Sequence, residues 1–399
     1  MQKIKVLEII ARLNIGGSAS HAILLTEGLD RNRFDILLIC GSVGQDEGDM
    51  FYYAIEKNVN PYFVPELKRK LSFFNDIIAF KKIYNIIKTE HPDIIHTHTA
   101  KAGALGRMAG ILYNLFSLTH KRVKLIHTFH GHVFSGYFSK FKVKLFILIE
   151  RFLALFTCRI ITVSESVKRD LVSLRICNEG KIKIIPLGFE LEKFLNIPVR
   201  DDIILNIGIV GRLTPIKNHR LFLEAVAKAI GDNPRMKLRF KIIGDGQLRK
   251  ELEEYSIKLN ILSFIEFLGW QNDLAGVYSD LDIVTLTSIN EGTPVSLIEA
   301  MASARAIVAT DAGGVKDLLG NEIDVYAKPD ADFKVLERGI IVKPQDSNSF
   351  AIALTFMLQH SDLRKDMCMR GREFIRTGFS KNRLIKDIEN LYDELLEMQ

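Results

Sequence analysis

The chain has 399 residues, 47% of them hydrophobic, so it can bury a large core; this argues against disorder and favours two domains over one. Its four cysteines are far apart and form no C-x-x-C or Cys/His ligand pattern, which argues against disulfide or zinc staples and suits a reducing compartment. The net charge of +6 is unevenly distributed, because residues 1–200 carry 29 Lys and Arg against 18 Asp and Glu.

The N-terminal segment "MQKIKVLEIIARL" has the pattern of a first β-strand. It lacks the long apolar region and the small-residue cleavage site of a signal peptide, so we expect a cytoplasmic protein. The most apolar stretch, "VKLFILIERFLALFTCRIITV", is interrupted by Glu150, Arg151 and Arg159. Because a membrane-spanning helix needs about 20 largely uncharged residues, no such helix is predicted.

Short β-branched runs alternate with amphipathic segments of helical length, which predicts βα units and mainly parallel sheets. The strand candidates are "IKVLEII", "FDILLIC", "DIIHTH", "VKLIHTF", "RIITV" and "KIKIIPL", followed by "IILNIGIV", "KLRFKIIG", "FIEFLG", "DIVTLT", "RAIVAT" and "RGIIV". The segment "PLGFELEKFLNIPVRDD" separates the two series; it is polar and contains two prolines, as an interdomain linker does.

The predicted fold class is therefore α/β, with two facing Rossmann-like domains of mainly parallel sheet. The first spans residues 1–190 and the second 191–380, and a final helix at 381–399 is expected to pack back on the first. Ligands of open α/β sheets bind beyond the carboxyl ends of the strands, so we expect a ligand cleft between the two domains.

The first loop of interest is "ARLNIGGSASH", after the first strand. Gly16 and Gly17 precede a helix expected to begin near Ser18, and glycines there let backbone N–H groups approach a phosphate or a sugar. The spacing is not G-x-G-x-x-G, which argues against an NAD-dependent oxidoreductase. A plain tight turn is the alternative interpretation.

Histidines follow two later strands, in "DIIHTHTAKAG" and "HTFHGHVF". Gly131 after His130 indicates a sharp turn that presents the imidazole at a strand end, where it can hydrogen-bond or transfer protons. With His96 and His98 nearby, zinc is the alternative, but no carboxylate or thiolate accompanies these rings at ligand spacing. We therefore interpret them as polar residues lining the cleft and predict no metal.

The segment from Lys121 to Arg175 is strongly basic, and its charges are interleaved with aromatic side chains. Its central members are Lys140, Lys142 and Lys144, with Phe138, Phe141, Phe146 and Phe152. Such a stretch is typical of peripheral contact with an anionic membrane or of a funnel for an anionic substrate. The alternative is a solvated helix face whose apolar side lies in the core.

In the second half, "GIVGRLTPIKNH" places Arg212 and Lys217 just after a strand, in a turn shaped by Gly211 and Pro215. Both cations can converge on one anion such as a diphosphate. No acidic residue occurs between 203 and 223, so these charges are expected to have no local partner. An exposed cationic loop is the alternative.

The stretch "NEGTPVSLIEAMA" predicts a helix that begins at Pro294 and is capped by Thr293, which would leave the N–H groups of residues 295–297 free for a phosphate. Glu291 and Glu299 can each accept hydrogen bonds from neighbouring hydroxyls, as a ribose or another sugar offers. A capping or salt-bridge role is the alternative for each. Carboxylates that faced the phosphate would repel it, so we expect them to face the sugars.

Together and in this order, these segments resemble the retaining, nucleotide-sugar-dependent glycosyltransferases of family 4, which have the GT-B fold. The most specific element is the E-x7-E signature in "EGTPVSLIEAMA", followed by "DAGGVKDLL". "GRLTPIKN" is similar to the family's Arg and Lys loop, "IIGDGQLRKELE" to its nucleotide-side loop and helix, and "VSESVKRDL" to the end of its first domain. The likeness covers essentially the whole chain.

The resemblance implies roles for single residues. Glu299 would hold the ribose of the donor, Glu291 the transferred sugar, and Arg212 with Lys217 the diphosphate leaving group, while His130 would touch the sugar or the acceptor. The implied donor-binding residues are Gly16, Gly17, Arg212, Lys217, Gly244, Glu291, Gly292, Thr293, Val295, Ser296, Leu297 and Glu299. The implied catalytic residues are His130, Glu291, Arg212 and Lys217, and the acceptor-binding residues are His98 and His130.

The implied function is transfer of a sugar from a nucleotide-diphosphate sugar to a glycan or lipid-linked acceptor in bacterial surface polysaccharide synthesis. No nucleic-acid partner is expected. No metal cofactor is expected either, because the Asp-x-Asp pairs in "SDLDI" and "PDADF" are interpreted as structural or solvated. The alternatives are a GT-B epimerase of UDP-N-acetylglucosamine, which needs no acceptor, and a non-catalytic nucleotide- or glycan-binding protein.

The sequence departs from the family pattern in two places. "GGSASH" lacks the acidic and basic residues that many members carry after the glycines. The chain also carries an insert at 320–338, which is expected to form a surface hairpin or part of the donor rim.

Overall fold

The protein divides into two compact units, Met1–Phe189 with Phe379–Gln399, and Glu190–Gly378. The structure, a computed structural model, describes residues 3–44, 48–116, 121–131, 140–200, 204–323 and 332–397. Within those ranges each unit contains one seven-stranded sheet with helices between the strands. The alternation of short β-branched runs and amphipathic segments thus forms the predicted α/β architecture.

The first unit has a parallel sheet with the strand order β3-β2-β1-β4-β5-β6-β7. Its strands are β1 (Ile4–Ile10), β2 (Phe34–Cys40), β3 (Tyr62–Phe63), β4 (Ile94–His98), β5 (Lys124–Phe129), β6 (Arg159–Thr162) and β7 (Ile182–Ile184). Its helices up to the linker are α1 (Gly17–Gly28), α2 (Phe51–Glu56), α3 (Phe73–Glu90), α4 (Ala100–Phe116), α5 (Lys140–Phe156) and α6 (Glu165–Ser173).

The second unit has the strand order β10-β9-β8-β11-β12-β14-β13, parallel except for the pair β13 and β14. Its strands are β8 (Ile204–Val210), β9 (Lys237–Ile243), β10 (Ile265–Gly269), β11 (Ile283–Leu286), β12 (Ala306–Thr310), β13 (Phe333–Leu336) and β14 (Gly339–Val342). Its helices are α7 (Glu192–Leu195), α8 (His219–Asp232), α9 (Arg249–Lys258), α10 (Leu274–Ser279), α11 (Val295–Ala302), α12 (Val315–Leu319), α13 (Ser347–Gln359) and α14 (Ser361–Gly378).

Two of the four edge strands, β3 and β13, are absent from the sequence prediction. Short edge strands pair on one side only, so they need little of the β-branched pattern that marks a central strand. Strand β13 arises from part of the predicted insert and pairs antiparallel with β14, while residues 324–331 of that insert lie outside the described residues. The segment predicted as a linker also contains helix α7, whose Phe194 ring packs edge-on against Tyr278.

The C-terminal helix α15 (Lys381–Glu397) packs on the first unit. Its apolar face repeats at helical spacing and is buried, through Leu384, Ile388, Leu391, Tyr392 and Leu395. Gly28 at the end of α1 permits the close approach, because a Cβ there would lie 2.1 Å from the side chain of Ile385. The C-terminal helix therefore contributes side chains to the core beneath strand β1.

The central strands of both sheets are buried on both faces, as expected for parallel sheets covered by helices. No helix among the described residues is both long enough and apolar enough to cross a membrane.

Candidate active site

In the second unit, the loops after strands β8, β9 and β11 lie together at the carboxyl ends of those strands. A short 3-10 turn, Pro215–Lys217, follows β8, and the N–H of Ile289 donates to the carbonyl of Ile216 over 2.9 Å. Gly244 adopts a φ of +128°, and a Cβ there would lie 2.1 Å from the carbonyl oxygen of Gly211. The glycine therefore lets the predicted nucleotide-side loop pack directly against the loop that carries Arg212.

Lys217 has an acidic partner, contrary to the prediction. Its Nζ lies 2.5 Å from Oε1 of Glu291, and the hydroxyl of Ser288 donates to the same oxygen over 2.5 Å. The partner comes from the loop after β11, so a search of the neighbouring sequence could not find it. Arg212 is exposed and makes no ion pair within the described ranges. One of the two predicted cations is therefore held by a predicted sugar ligand, and the other is free.

Helix α11 begins at Val295, one residue later than predicted. Pro294 occupies the N-cap position, and the hydroxyl of Thr293 is buried without a hydrogen-bond partner among the described residues, so it does not cap the helix. The N–H of Leu297 donates to the carbonyl of Pro294 over 3.2 Å. The free amides at the helix start are therefore those of Val295 and Ser296, rather than all three predicted amides.

Glu299 lies in the second turn of α11, and burial of its carboxyl group raises its pKa from 4.5 to about 7. The hydroxyl of Tyr278 lies 2.9 Å from Oε2 of Glu299 and 3.1 Å from the carbonyl oxygen of Ser296. Oε1 of Glu299 makes no hydrogen bond in the described part of the chain, and so it can accept one from a ligand hydroxyl. Tyr278 thus orients the carboxyl group that the sequence assigned to the ribose.

The Asp-x-Asp pair of "SDLDI" is engaged by other protein groups. Oδ2 of Asp282 accepts a hydrogen bond of 2.8 Å from the N–H of Asn206. Asp280 pairs with Lys241 and with Arg200. Of the second pair, Asp330 lies outside the described residues.

In the first unit, helix α1 begins at Gly17 and has Gly16 as its N-cap residue. A Cβ on Gly16 would meet no other atom within 4 Å, so the loop after β1 is open at this point. The first turn of α1 contains no acidic side chain. Its free N–H groups are therefore available to an anion.

A buried network joins strands β1 and β4 to the C-terminal helix. Oε2 of Glu8 lies 2.5 Å from Nε2 of His98, and Oε1 of Glu8 accepts from the hydroxyl of Tyr392 over 2.8 Å. Nδ1 of His96 lies 2.8 Å from the same hydroxyl, and its Nε2 lies 2.7 Å from the hydroxyl of Thr128. The expectation that no carboxylate accompanies these histidines is therefore wrong.

The network continues to the carboxyl end of β5. Nε2 of His130 lies 3.0 Å from Nδ1 of His98, and the ring of His21 packs edge-on against both imidazoles. Nδ1 of His130 and both ring nitrogens of His21 are buried without a hydrogen-bond partner in the described ranges. Burial lowers the pKa of all three histidines, so each is neutral near pH 7. His130 is the one member of this group that is not fully buried.

Two overlapping groups in this network have the composition of metal ligands, namely His21 with His98 and His130, and Glu8 with His96 and His98. Within each group the ligand atoms lie within 4.8 Å of one another. Glu8, His96, His98 and His130 are linked by contacts of hydrogen-bond length, so shared protons satisfy the atoms that join them. The ring nitrogens of His21 have no such partner among the described residues. The other histidines differ: His127 is buried on β5 against the hydroxyl of Thr97, and His132 lies outside the described residues.

Helix α5 presents the predicted basic and apolar surface. Five large apolar side chains are exposed on it: Leu145, Leu148, Phe152, Leu155 and Phe156. Lys142, Lys144 and Arg151 are exposed beside them, whereas Phe138 and the side chains of Lys140 and Phe141 lie outside the described set. The apolar side of α5 is therefore only partly in the core, through Leu153 and Ala154.

A second such surface, at the start of helix α3, escaped the sequence analysis. Its exposed apolar side chains are Leu71, Phe73, Phe74, Ile77 and Ile78. Three exposed cations, Lys68, Arg69 and Lys70, precede them. The signal was present in "KRKLSFF", since three cations followed within three residues by two aromatic residues are typical of a membrane-surface segment.

Four further residues of the two sites, Glu8, His21, Tyr278 and Tyr392, were not predicted from the sequence. Glu8 gave a signal, because a charged residue in the middle of the apolar strand "IKVLEII" is buried at a cost unless it is paired. His21 belongs to the glycine loop that was already selected. Tyr278 and Tyr392 gave none, since buried tyrosines at helical spacing are ordinary core residues.

The architecture of two Rossmann-like units is the GT-B fold of nucleotide-sugar glycosyltransferases. Among solved structures, that of Anabaena HepE in complex with UDP and glucose is similar, with a TM-score of 0.75 and 17% sequence identity, over 98% of this chain and 99% of that chain.

The family is shown by sequence. The profile described as "Glycosyltransferase Family 4" matches residues 15–193, and that described as "Glycosyl transferases group 1" matches residues 205–360. The chain therefore belongs to the family 4 glycosyltransferases, as predicted.

Two curated relatives cover most of the chain. The Escherichia coli UDP-Gal:alpha-D-GlcNAc-diphosphoundecaprenol alpha-1,3-galactosyltransferase is 29% identical over 99% of this chain and 98% of its own length. The Staphylococcus aureus capsular polysaccharide biosynthesis glycosyltransferase CapM is 22% identical over 83% of this chain and 84% of its own. The chain is thus similar to one bacterial glycosyltransferase named for a lipid-diphosphate-linked sugar and to another named for capsular polysaccharide biosynthesis.

Proposed function

We propose that the protein transfers a hexose from a UDP-sugar to a sugar bound to a lipid diphosphate, with retention of anomeric configuration, in bacterial surface polysaccharide synthesis. Similarity to the Escherichia coli galactosyltransferase along almost the full length of both chains supports this substrate pair. The observation that carries the proposal is the arrangement in the second unit, where cations, free amides and two carboxylates occupy neighbouring loops at the carboxyl ends of β8 and β11.

The donor diphosphate would bind Arg212, Lys217 and the free amides of Val295 and Ser296. Cleavage of the anomeric C–O bond leaves negative charge on the departing diphosphate, and donors already aimed at that position stabilise the transition state. Two side-chain cations and a helix N-terminus can balance the charge of a diphosphate without a divalent cation.

The two glutamates would bind the sugars. Oε1 of Glu299 can accept a hydrogen bond from the ribose, while Oε2 is held by Tyr278. Glu291 is tied to Lys217 and Ser288 through Oε1, which leaves Oε2 for a hydroxyl of the transferred hexose. An α linkage is named for the Escherichia coli relative, and an α linkage is what retention yields from an α-configured nucleotide sugar.

Ligand-induced stabilisation tests the donor assignment. UDP-, GDP- and ADP-sugars would be screened by thermal unfolding, since a ligand at 100 times its dissociation constant adds about 2.7 kcal/mol. We expect a shift with UDP-sugars that is lost in Glu299→Ala and retained in Glu254→Ala, an exposed glutamate of the same unit. Stabilisation by GDP-sugars alone would refute the choice of base, and an unchanged shift in Glu299→Ala would refute the site.

Product analysis separates transferase from epimerase. The assay uses UDP-galactose with a short-chain analogue of N-acetylglucosamine linked to a lipid diphosphate. We expect a disaccharide product with an α anomeric coupling in its NMR spectrum, formed only when the acceptor is present. Conversion of UDP-N-acetylglucosamine without acceptor would establish the epimerase, and a β-linked product would refute retention.

The lipid acceptor would be reached at the cytoplasmic face of a membrane, where the surfaces of α5 and of the start of α3 would make peripheral contact. Exposed apolar side chains can enter the interface between headgroups and acyl chains, while the adjacent Lys and Arg attract anionic lipid. All four cysteines are free thiols, which suits a reducing compartment.

Vesicle flotation tests the membrane contact. We expect binding to phosphatidylglycerol vesicles and not to phosphatidylcholine vesicles, with a loss in the double variant Lys142→Glu, Lys144→Glu. The control is Lys250→Glu, an exposed lysine of the second unit. Equal flotation of the double variant and the control would refute a role for α5.

A further inference from the structure

We propose that Glu8, His98 and Tyr392 form a positioning relay that holds His130 in one tautomer, with Nδ1 free to accept a hydrogen bond from a substrate hydroxyl. The proposal rests on the proposed function, because it assumes that the first unit binds a hydroxyl-bearing sugar. None of the three relay residues contacts the substrate in this account; each acts through the next.

The relay begins at a buried carboxylate. Glu8 is fully buried, and three donor groups surround it: the hydroxyl of Tyr392 at 2.8 Å, Nε2 of His98 at 2.5 Å and Nδ1 of His96 at 3.3 Å. Burial opposes ionisation, but the hydrogen bonds that the two imidazoles donate favour the carboxylate, and the pKa of Glu8 lies far below its usual range. Glu8 is therefore ionised and can only accept, so Tyr392 and His98 must both donate to it.

The direction of the next hydrogen bond follows from the first. A neutral imidazole carries one proton, and in His98 that proton is on Nε2, facing Glu8. Nδ1 of His98 is therefore an acceptor. The group that lies 3.0 Å from it, Nε2 of His130, must be the donor.

The tautomer of His130 follows in the same way. Once its single proton lies on Nε2, Nδ1 has a lone pair, and this is the nitrogen that has no partner within the described ranges. A buried acceptor without a donor is costly, so the arrangement is complete only when another molecule supplies an O–H or N–H group. A sugar hydroxyl is the donor that the proposed reaction supplies.

The network points outward from the core. Glu8, His96 and His98 are fully buried, whereas His130 follows the last residue of β5 and is partly exposed. Tyr392 extends the relay to the C-terminal helix, 384 residues from Glu8 in sequence. A network that served packing alone would have no reason to end in an unsatisfied nitrogen at the carboxyl edge of the sheet, where α/β proteins bind ligands.

The tautomers can be read directly by NMR of protein labelled with nitrogen-15 in histidine. We expect the Nε2–H tautomer for both His98 and His130, assigned by His98→Asn and His130→Ala. An Nδ1–H tautomer at His130, which a doubly protonated His98 would impose, overturns the proposal. Elemental analysis of protein purified without chelators provides a second test. Zinc bound in a one-to-one ratio and lost in His21→Ala would also overturn the proposal, since a metal would then replace the proton between His98 and His130.

Kinetics tests whether the relay acts through His130. His98→Leu removes the acceptor that faces His130, whereas His98→Asn keeps an oxygen near the position of Nδ1. We expect kcat/KM for transfer from UDP-galactose to fall roughly tenfold or more in His98→Leu and less in His98→Asn. In a His130→Ala background, His98→Leu should cause no further loss, because coupled residues are not additive. Additive losses would refute the relay.

Controls separate the relay from folding and from the proposed function. Tyr392→Phe should lower kcat/KM, while Tyr113→Phe, which removes a buried hydroxyl that contacts His91 at 2.9 Å, should not. Stabilisation by UDP, which carries no hexose, should be the same in all these variants, because the proposed donor residues Glu291 and Glu299 belong to the second unit. If no sugar is transferred by the wild type, the proposed function fails, and the tautomers of His130 and His98 still decide the relay.

Discussion

Donor binding should depend on pH through Glu299. Burial raises the pKa of its carboxyl group from 4.5 to about 7, and Tyr278 and Lys193 partly oppose this effect. A change of that size corresponds to roughly 3 kcal/mol favouring the protonated form of the unliganded protein. Ribose hydroxyls donate to a carboxylate more strongly than to a protonated carboxyl, so the donor should bind the ionised form. Donor affinity should therefore fall as the pH drops below 7.

The expected slope follows from the linkage between protonation and binding. If the bound state holds Glu299 ionised, affinity falls about tenfold between pH 8 and pH 6. Calorimetric titration with a UDP-sugar measures this without interference, because its diphosphate diester has no pKa in that range. His219, the buried histidine next to the loop of Lys217, has a pKa lowered to about 4 and does not titrate there.

The control is Glu299→Gln, which keeps the size of the side chain and removes its titration. Its affinity should be lower than that of the wild type at pH 8 and constant down to pH 6. An equal slope in wild type and variant would show that another group titrates. A wild-type affinity that stayed constant between pH 8 and pH 6 would show that the donor does not prefer the ionised form of Glu299. The predicted effect of its raised pKa on donor binding would then be wrong.

The effects of three further substitutions can be predicted from side-chain contacts in the structure. The carboxyl of Glu299 has a pKa of about 7 in the folded protein against 4.5 for the free group, so it costs the folded protein stability as the pH rises from 4.5 to 7. Glu299→Gln should therefore raise the melting temperature of the unliganded protein at pH 8 and not at pH 4.5; a constant difference would contradict this. Lys217→Ala should weaken UDP-sugar binding roughly tenfold to a hundredfold by calorimetry, and Lys250→Ala should not. Glu150→Ala should cost about 3–5 kcal/mol in urea unfolding, because it leaves the buried guanidinium of Arg107 without its partner at 2.7 Å; an unchanged midpoint would refute the importance of that pair.

The sequence predicted those features whose determinants are local. Each strand or helix is determined by the hydrophobic pattern of a run of about 5 to 15 residues. The central strands of both sheets therefore appear where they were expected. The E-x7-E signature lies within one loop and one helix, so the placement of Glu291 and Glu299 on either side of a helix start was also predictable. The error of one residue at that start arose because Pro294 suits both the N-cap and the first helical position.

Contacts between distant segments were not predictable, because they depend on which loops the topology brings together. Lys217 and Glu291 are 74 residues apart and meet only because β8 and β11 are neighbours in the sheet. The histidines on β4 and after β5 were recognised, but their carboxylate comes from β1. In the second unit the sequence identified both Lys217 and Glu291 but not their pairing, and in the first unit it identified His98 but not its partner Glu8.

The pairing of Lys217 with Glu291 changes the account of how carboxylates can lie beside an anion site. Glu291 need not face away from the diphosphate, because Lys217, whose Nζ lies 2.5 Å from Oε1 of Glu291, would separate the carboxylate from a diphosphate bound to the same lysine. An ammonium with three donors can keep one on Glu291 and direct others at the phosphate. On this reasoning Glu291 positions the cation as well as the hexose. Removal of its charge in Glu291→Gln should then weaken binding of UDP, which has no hexose, as well as of the UDP-sugar. If only the UDP-sugar were affected, Glu291 would contact the hexose alone and its bond to Lys217 would have no part in holding the diphosphate.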